Sequence, residues 1–133
     1  MKYVVLIGRI FFSLMFIMAG PDHFSSGTIG YAAANGVPLA SFAVPFSGLI
    51  ALAGGLSIAA GYKAKWGAWL IVVFLIPVTL MMHNFWAAKD AMTMQLQIAM
   101  FMKNISMLGG ALLIAHFGAG PISFDNRLIS ASK

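Results

Sequence analysis

The stretch YVVLIGRIFFSLMFIMAG, residues 3–20, carries a single charged side chain, Arg9. An apolar helix needs about 20 residues to cross roughly 30 Å of hydrocarbon, so this run is long enough to span a bilayer. Lys2 in front of it resembles the start of a secretory signal. However, IMAGP offers no good small-x-small cleavage site and places Pro21 just beyond, so an uncleaved membrane helix is expected. Three further apolar runs follow, near residues 42–60, 66–84 and 101–118. The whole chain, 1–133, therefore reads as a single all-α domain, an integral-membrane four-helix antiparallel bundle.

Composition supports the same class. The 133 residues are 61% hydrophobic and 8% charged, more apolar material than so small a water-soluble protein has interior to bury. The net charge of +5 is spread as isolated Lys and Arg around apolar runs, a pattern that suits an anionic membrane surface and not nucleic acid. The absence of cysteine excludes disulfides, thiolate redox chemistry and sulfur-ligated metals within the chain. With Lys2, Arg9, Lys63, Lys65, Arg127 and Lys133 toward one side and Lys89 and Lys103 toward the other, the positive-inside rule places both termini in the cytoplasm. The expected location is the bacterial cytoplasmic (inner) membrane, in contact with its lipids.

That orientation makes 21–41 an outer loop and 61–65 a tight inner turn, with Gly61 at a helix end. The segment KDAMTMQLQIAM, residues 89–100, reads either as an interfacial helix or as an extension of the fourth span. Gly48, Ala51, Gly55 and Ala59 recur at helical spacing in the second span, and Gly109, Gly110, Ala111 and Ala115 give the fourth a smooth region. Helices approach closely at such places because packing, not apolar burial, drives association in lipid. Pro77 removes one backbone bond from the third span and is expected to kink it.

AGPDHF, residues 19–24, MHNFW, residues 82–86, and FMKNI, residues 101–105, bring polar groups to the ends of these spans. On antiparallel helices, Asp22, His23, His83, Asn84, Lys103 and Asn104 are expected at one depth on the outer side. They form a candidate ligand or proton site, with Phe85 and Trp86 as a candidate aromatic wall. Ionisable groups in a membrane are commonly paired, wetted or functional because charge is costly to desolvate. The same residues also read as side chains snorkelling to headgroups beside an interfacial aromatic belt, with no ligand at all. No metal site is expected, since two imidazoles and one carboxylate lack any recognised ligand spacing. Arg9, several residues inside the first span, and Asp125, returning after the fourth, form a candidate structural latch.

LIGRIFFSLMFIMAG (6–20), GLIALAGGLSIAAG (48–61) and KNISMLGGALLIAHFGAGPISFD (103–125) resemble the DoxX-like family of small bacterial membrane proteins. The resemblance implies a four-helix membrane bundle and brings forward Arg9, the Lys103–Asn104 pair and Asp125 as matches to family polar features. Family members often carry an acidic residue before the paired glycines of the second helix, where this chain has Ala51. Some relatives are associated with quinol oxidase or thiosulfate–quinone systems and others with oxidative-stress complexes. The resemblance thus implies an accessory or assembly subunit of a respiratory or redox complex, or a homo-oligomer. The alternatives are a quinone-binding or other small-molecule-binding enzyme subunit and a small proton-linked transporter. No cofactor is expected within the chain, quinone being the one the pattern admits, and no catalytic set is assigned.

Overall fold

The computed structural model describes residues 1–132. Its helices are α1 (Lys2–Asp22), α2 (Ser26–Ala34), α3 (Ala40–Ala60), α4 (Ala64–Met82), α5 (Ala91–Phe117) and α6 (Phe124–Ala131), with a single 3₁₀ turn at Phe85–Ala87 before α5. By length and composition, α1, α3, α4 and α5 are able to cross a membrane. The start of α1 and helix α6 lie at one end of this antiparallel bundle, here called the termini end. The turn between α3 and α4 lies there too, while α2 and the 3₁₀ turn lie at the opposite end.

One connecting segment differs from its sequence reading, and another takes one of its two readings. Residues 21–41 are not a plain loop, because α2 forms within them. The Ser25 side chain accepts from the Thr28 backbone N–H at 3.2 Å to start it, and Gly36, at φ +82°, follows its end. The mixed segment before residue 101 is continuous helix, so α5 begins ten residues earlier than the apolar run (101 − 91). Asp90 caps it by accepting from the Thr93 backbone N–H at 2.8 Å. That same contact with Thr93 holds the Asp90 carboxyl below its usual pKa. The cap is therefore intact above the ordinary carboxyl pKa and is lost as pH falls through the lowered one.

Helix α3 is the hub, packing along α1 on one side and α4 on the other. The expected small face is real: Gly48 lies against Gly20 and His23, Ala51 is wholly buried, and Gly55 lies against Phe16 and Ile17. A second small face, on Gly54, receives α4 at Gly67 and Ile71. The α5 helix packs on α4, and the ring of Phe12 lies over Gly110 to join α1 to α5. Gly109, by contrast, faces open space. Phe16, Ile58, Ile71 and Leu75 are sealed between these helices. The outside is apolar, with Phe11, Met18, Phe42 and Leu113 exposed, as a lipid-facing surface requires. Pro77 lies inside α4 without ending it.

A Cβ at Gly48 would stand 2.5 Å from that of His23 and 2.8 Å from the Gly20 carbonyl oxygen. Gly48→Ala is therefore expected to destabilise the bundle by about 1–3 kcal/mol, the usual range for overpacking. Gly109→Ala, with nothing in its way, leaves stability unchanged or slightly raised. Thermal unfolding of the two variants in the same detergent checks this ranking, and equal midpoints would contradict it.

Candidate functional site

At the termini end the sequence builds a latch whose parts are joined through backbone. Arg9 is 5% exposed, and its guanidinium donates to the carbonyls of Ala119, Ile122 (3.0 Å) and Ala59 (3.3 Å). Those carbonyls belong to the end of α3 and to the segment after α5, regions where helices leave acceptors unpaired. Asp125 does not pair with Arg9 as expected, since no ion pair within 4 Å forms among the described residues. Its carboxylate accepts from the backbone N–H groups of Lys63 (2.7 Å) and Ala64 (3.0 Å), capping α4. Its own N–H donates to the Gly61 carbonyl at 2.8 Å. Gly61, at φ +68°, is where these strands of contact cross: a Cβ there would meet the Ser123 Cβ at 2.6 Å and an Arg9 nitrogen at 2.9 Å.

The six polar residues expected at one depth are separated instead. The His23 ring lies 5.5 Å from that of Phe74 in the middle of α4. His83 follows Phe74 by nine residues, roughly 14 Å further along at the helical rise. Its Nδ1 pairs with the Gln97 side-chain oxygen at 3.0 Å, a partner that the early start of α5 supplies. Asn84 follows His83 in the connection to the 3₁₀ turn, and Asp22 is exposed with no side-chain bond among the described residues. Lys103 and Asn104 lie more than three turns into α5 instead of in its first turn. The Lys103 ammonium approaches the Met100 sulfur at 3.5 Å, and Asn104 is buried. Phe85 and Trp86 pack with each other and with Phe101.

What the structure brings together is a cleft of about 410 Å³ between α3 and α4, roofed by α2. Phe42, Phe46, Val78 and Met81 make its surface mostly apolar, and Phe42 and Phe46 stack at 5.7 Å. His23 is its single ionisable lining group. Its Nδ1 lies 2.8 Å from the Ala19 carbonyl, which only accepts, so Nδ1 carries the proton and Nε2 of the neutral ring is left as an acceptor. Pro77, which has no N–H to give the Val73 carbonyl, lines the cleft together with Val73. The Ser47 hydroxyl is occupied by the Val44 carbonyl at 2.7 Å, whereas Thr28 accepts from Ser25 and retains its own proton. The cleft thus suits an apolar body bearing a hydroxyl. Sequence reading placed His23 correctly near a helix end. The cleft depends on α2, which only Ser25 and the Asn35–Gly36 pair signal within the expected outer loop.

Four helices long and apolar enough to cross a membrane define a small multi-pass membrane protein. The DoxX family model matches residues 4–84, and the chain belongs to that family. It is 34% identical to inner membrane protein YqjF of Escherichia coli (strain K12) over 93% of this chain and 91% of that protein. It is 29% identical to inner membrane protein YphA of the same organism, over 93% and 89%. A yeast protein, ER-derived vesicles protein ERV29 of Saccharomyces cerevisiae, is 28% identical over 62% of this chain and 26% of its own length. No solved structure matches the chain. The bacterial relatives and the four spans support a multi-pass bacterial inner membrane protein. Ala51 is wholly buried in the core.

Arg9→Met removes the donors for three carbonyls and is expected to cost about 2–4 kcal/mol, given roughly 1.5–3 kcal/mol for a charged hydrogen bond and incomplete loss of the set. Asp125→Asn keeps the shape but loses one of two caps, with a smaller effect in the same direction. Trypsin cleavage after Arg127 should quicken in both variants and not in Lys89→Met. Wild-type cleavage rates throughout would show that the latch does not hold the carboxyl-terminal segment.

Proposed function

We propose that this protein binds an apolar small molecule with a hydroxyl head, of the hydroquinone class, in the cleft beneath α2. The observation that carries this reading is His23, tied through Nδ1 to the Ala19 carbonyl and bordering an otherwise apolar cavity of about 410 Å³. That volume falls in the usual range for small-molecule sites, where a few fixed polar groups orient an apolar ligand. A neutral His23 ring accepts a proton-bearing oxygen at Nε2. The cytoplasmic placement of both termini belongs to this proposal and rests on the Lys and Arg distribution.

A second reading, as an accessory subunit of a respiratory or redox complex, is favoured by the surface of α5. Of its 27 residues only Asn104 and Ala111 are buried, and Gly109 faces outward with space in front of it. The chain has no cysteine, so Gly109→Cys provides a unique crosslinking position. Crosslinks to a defined respiratory subunit support this reading; crosslinks only between copies of the chain replace it with a homo-oligomer.

Calorimetric titration of detergent-solubilised protein with a short-chain prenyl hydroquinone tests the cleft. His23→Phe is expected to weaken binding roughly tenfold, the worth of one hydrogen bond of about 1.4 kcal/mol. Lys103→Met and Phe85→Ala leave affinity unchanged because neither residue lines the cleft. Undiminished affinity in His23→Phe would remove the assignment.

A further inference from the structure

At the termini end, a second cavity of about 630 Å³ lies between the start of α4, the end of α5 and α6. We propose that it seats the phosphate of an anionic phospholipid from the adjoining leaflet. Its lining combines the cations Lys63 and Lys65 with the apolar side chains of Trp66, Phe117 and Ile129. Among the described residues neither lysine forms an ion pair within 4 Å. The Lys63 ammonium lies 5.7 Å from the Tyr62 ring centroid, and the Lys65 stem lies beside Gly118, where a Cβ would approach its Cε to 3.3 Å. The one acid in the lining, Asp125, already has both carboxylate oxygens engaged by the backbone of Lys63 and Ala64. Its charge still opposes an anion, so two cations face one carboxylate.

The surroundings identify a lipid and not a free anion. Trp66 is 73% exposed at the first turn of a membrane-spanning helix, where an indole suits the boundary between headgroup and chain. The α6 helix exposes Phe124, Leu128 and Ile129 while also presenting Asn126 and Arg127. Such an amphipathic helix lies in the interfacial plane with its apolar side chains among the acyl groups. The cationic and the apolar lining groups therefore stand together at headgroup depth, and a phosphodiester with attached acyl chains satisfies both. A zwitterionic headgroup would bring its own ammonium toward the two lysines, so the site discriminates by net charge. This is separate from the cleft beneath α2, which lies toward the other end of the bundle.

Native mass spectrometry of the delipidated full chain, offered phosphatidylglycerol or phosphatidylcholine of matched chains, tests the proposal. Wild type is expected to retain phosphatidylglycerol about tenfold better, and the excess should fall as salt rises. The double variant Lys63→Gln/Lys65→Gln should lose roughly thirtyfold in phosphatidylglycerol retention, the effect of removing two surface cations. Lys89→Gln should lose nothing. Unchanged thermal unfolding of the double variant in lipid-free micelles establishes that its fold is intact. Should that variant unfold, lipid preference and salt dependence in wild type still decide. Equal retention of the two lipids by wild type overturns the proposal. So does full retention by a folded double variant, or displacement of the lipid by inorganic phosphate as readily as by phosphatidylglycerol.

Discussion

The structure depends on how near α3 lets its two neighbours come. In lipid, burying apolar surface between helices gains little, because the tails that they displace are as apolar as the side chains that replace them. Cohesion must come from short-range dispersion, which needs backbone-level contact. Gly48 and Gly55 admit α1 on one face of α3, and Gly54 with Gly67 admits α4 on the next. Phe16, Ile58, Ile71 and Leu75 then fill the space between with almost no exposed area. The wholly buried Ala51 belongs to the same packing.

Close packing along the helices leaves the chemistry of their ends unsolved. The end of α3 has unpaired carbonyls and the start of α4 has unpaired N–H groups, only a few residues apart. The segment following α5 answers both, with its own carbonyls and that of Ala59 held by Arg9 and its Asp125 carboxylate accepting from Lys63 and Ala64. A cation and an anion thus act on backbone groups of matching polarity without bonding to each other. The arrangement fastens the carboxyl-terminal segment against the bundle and sets α6 beside the lysines of the α3–α4 turn.

At the other end the helices do not finish at a common level. The start of α3 projects past the end of α1, α2 packs on that projection, and Ala32, Ala40 and Val44 form a small separate core there. The space left beside α4 is the cleft, and His23 enters it because α1 ends opposite the middle of α4. Unequal helix ends convert what would be a polar rim into two environments: His23 among apolar side chains, and His83 with Gln97 near the aromatic cluster of Phe85, Trp86 and Phe101.

The number of spans, their antiparallel order and the small face at Gly48, Ala51 and Gly55 were legible in the residues, because membrane thickness and helical period act on each segment independently. Arg9 and Asp125 were legible as polar groups at one end of the bundle, but the backbone groups that each holds in place of the other were not. Relative depth was not. The early start of α5 moved Lys103 and Asn104 from the first turn toward the helix middle, and the offset between α1 and α4 parted His23 from His83. Local sequence determines whether a segment forms a helix and which face is smooth. Only tertiary packing decides how far one helix slides along another, since that offset is set by glycine contacts between segments far apart in the chain.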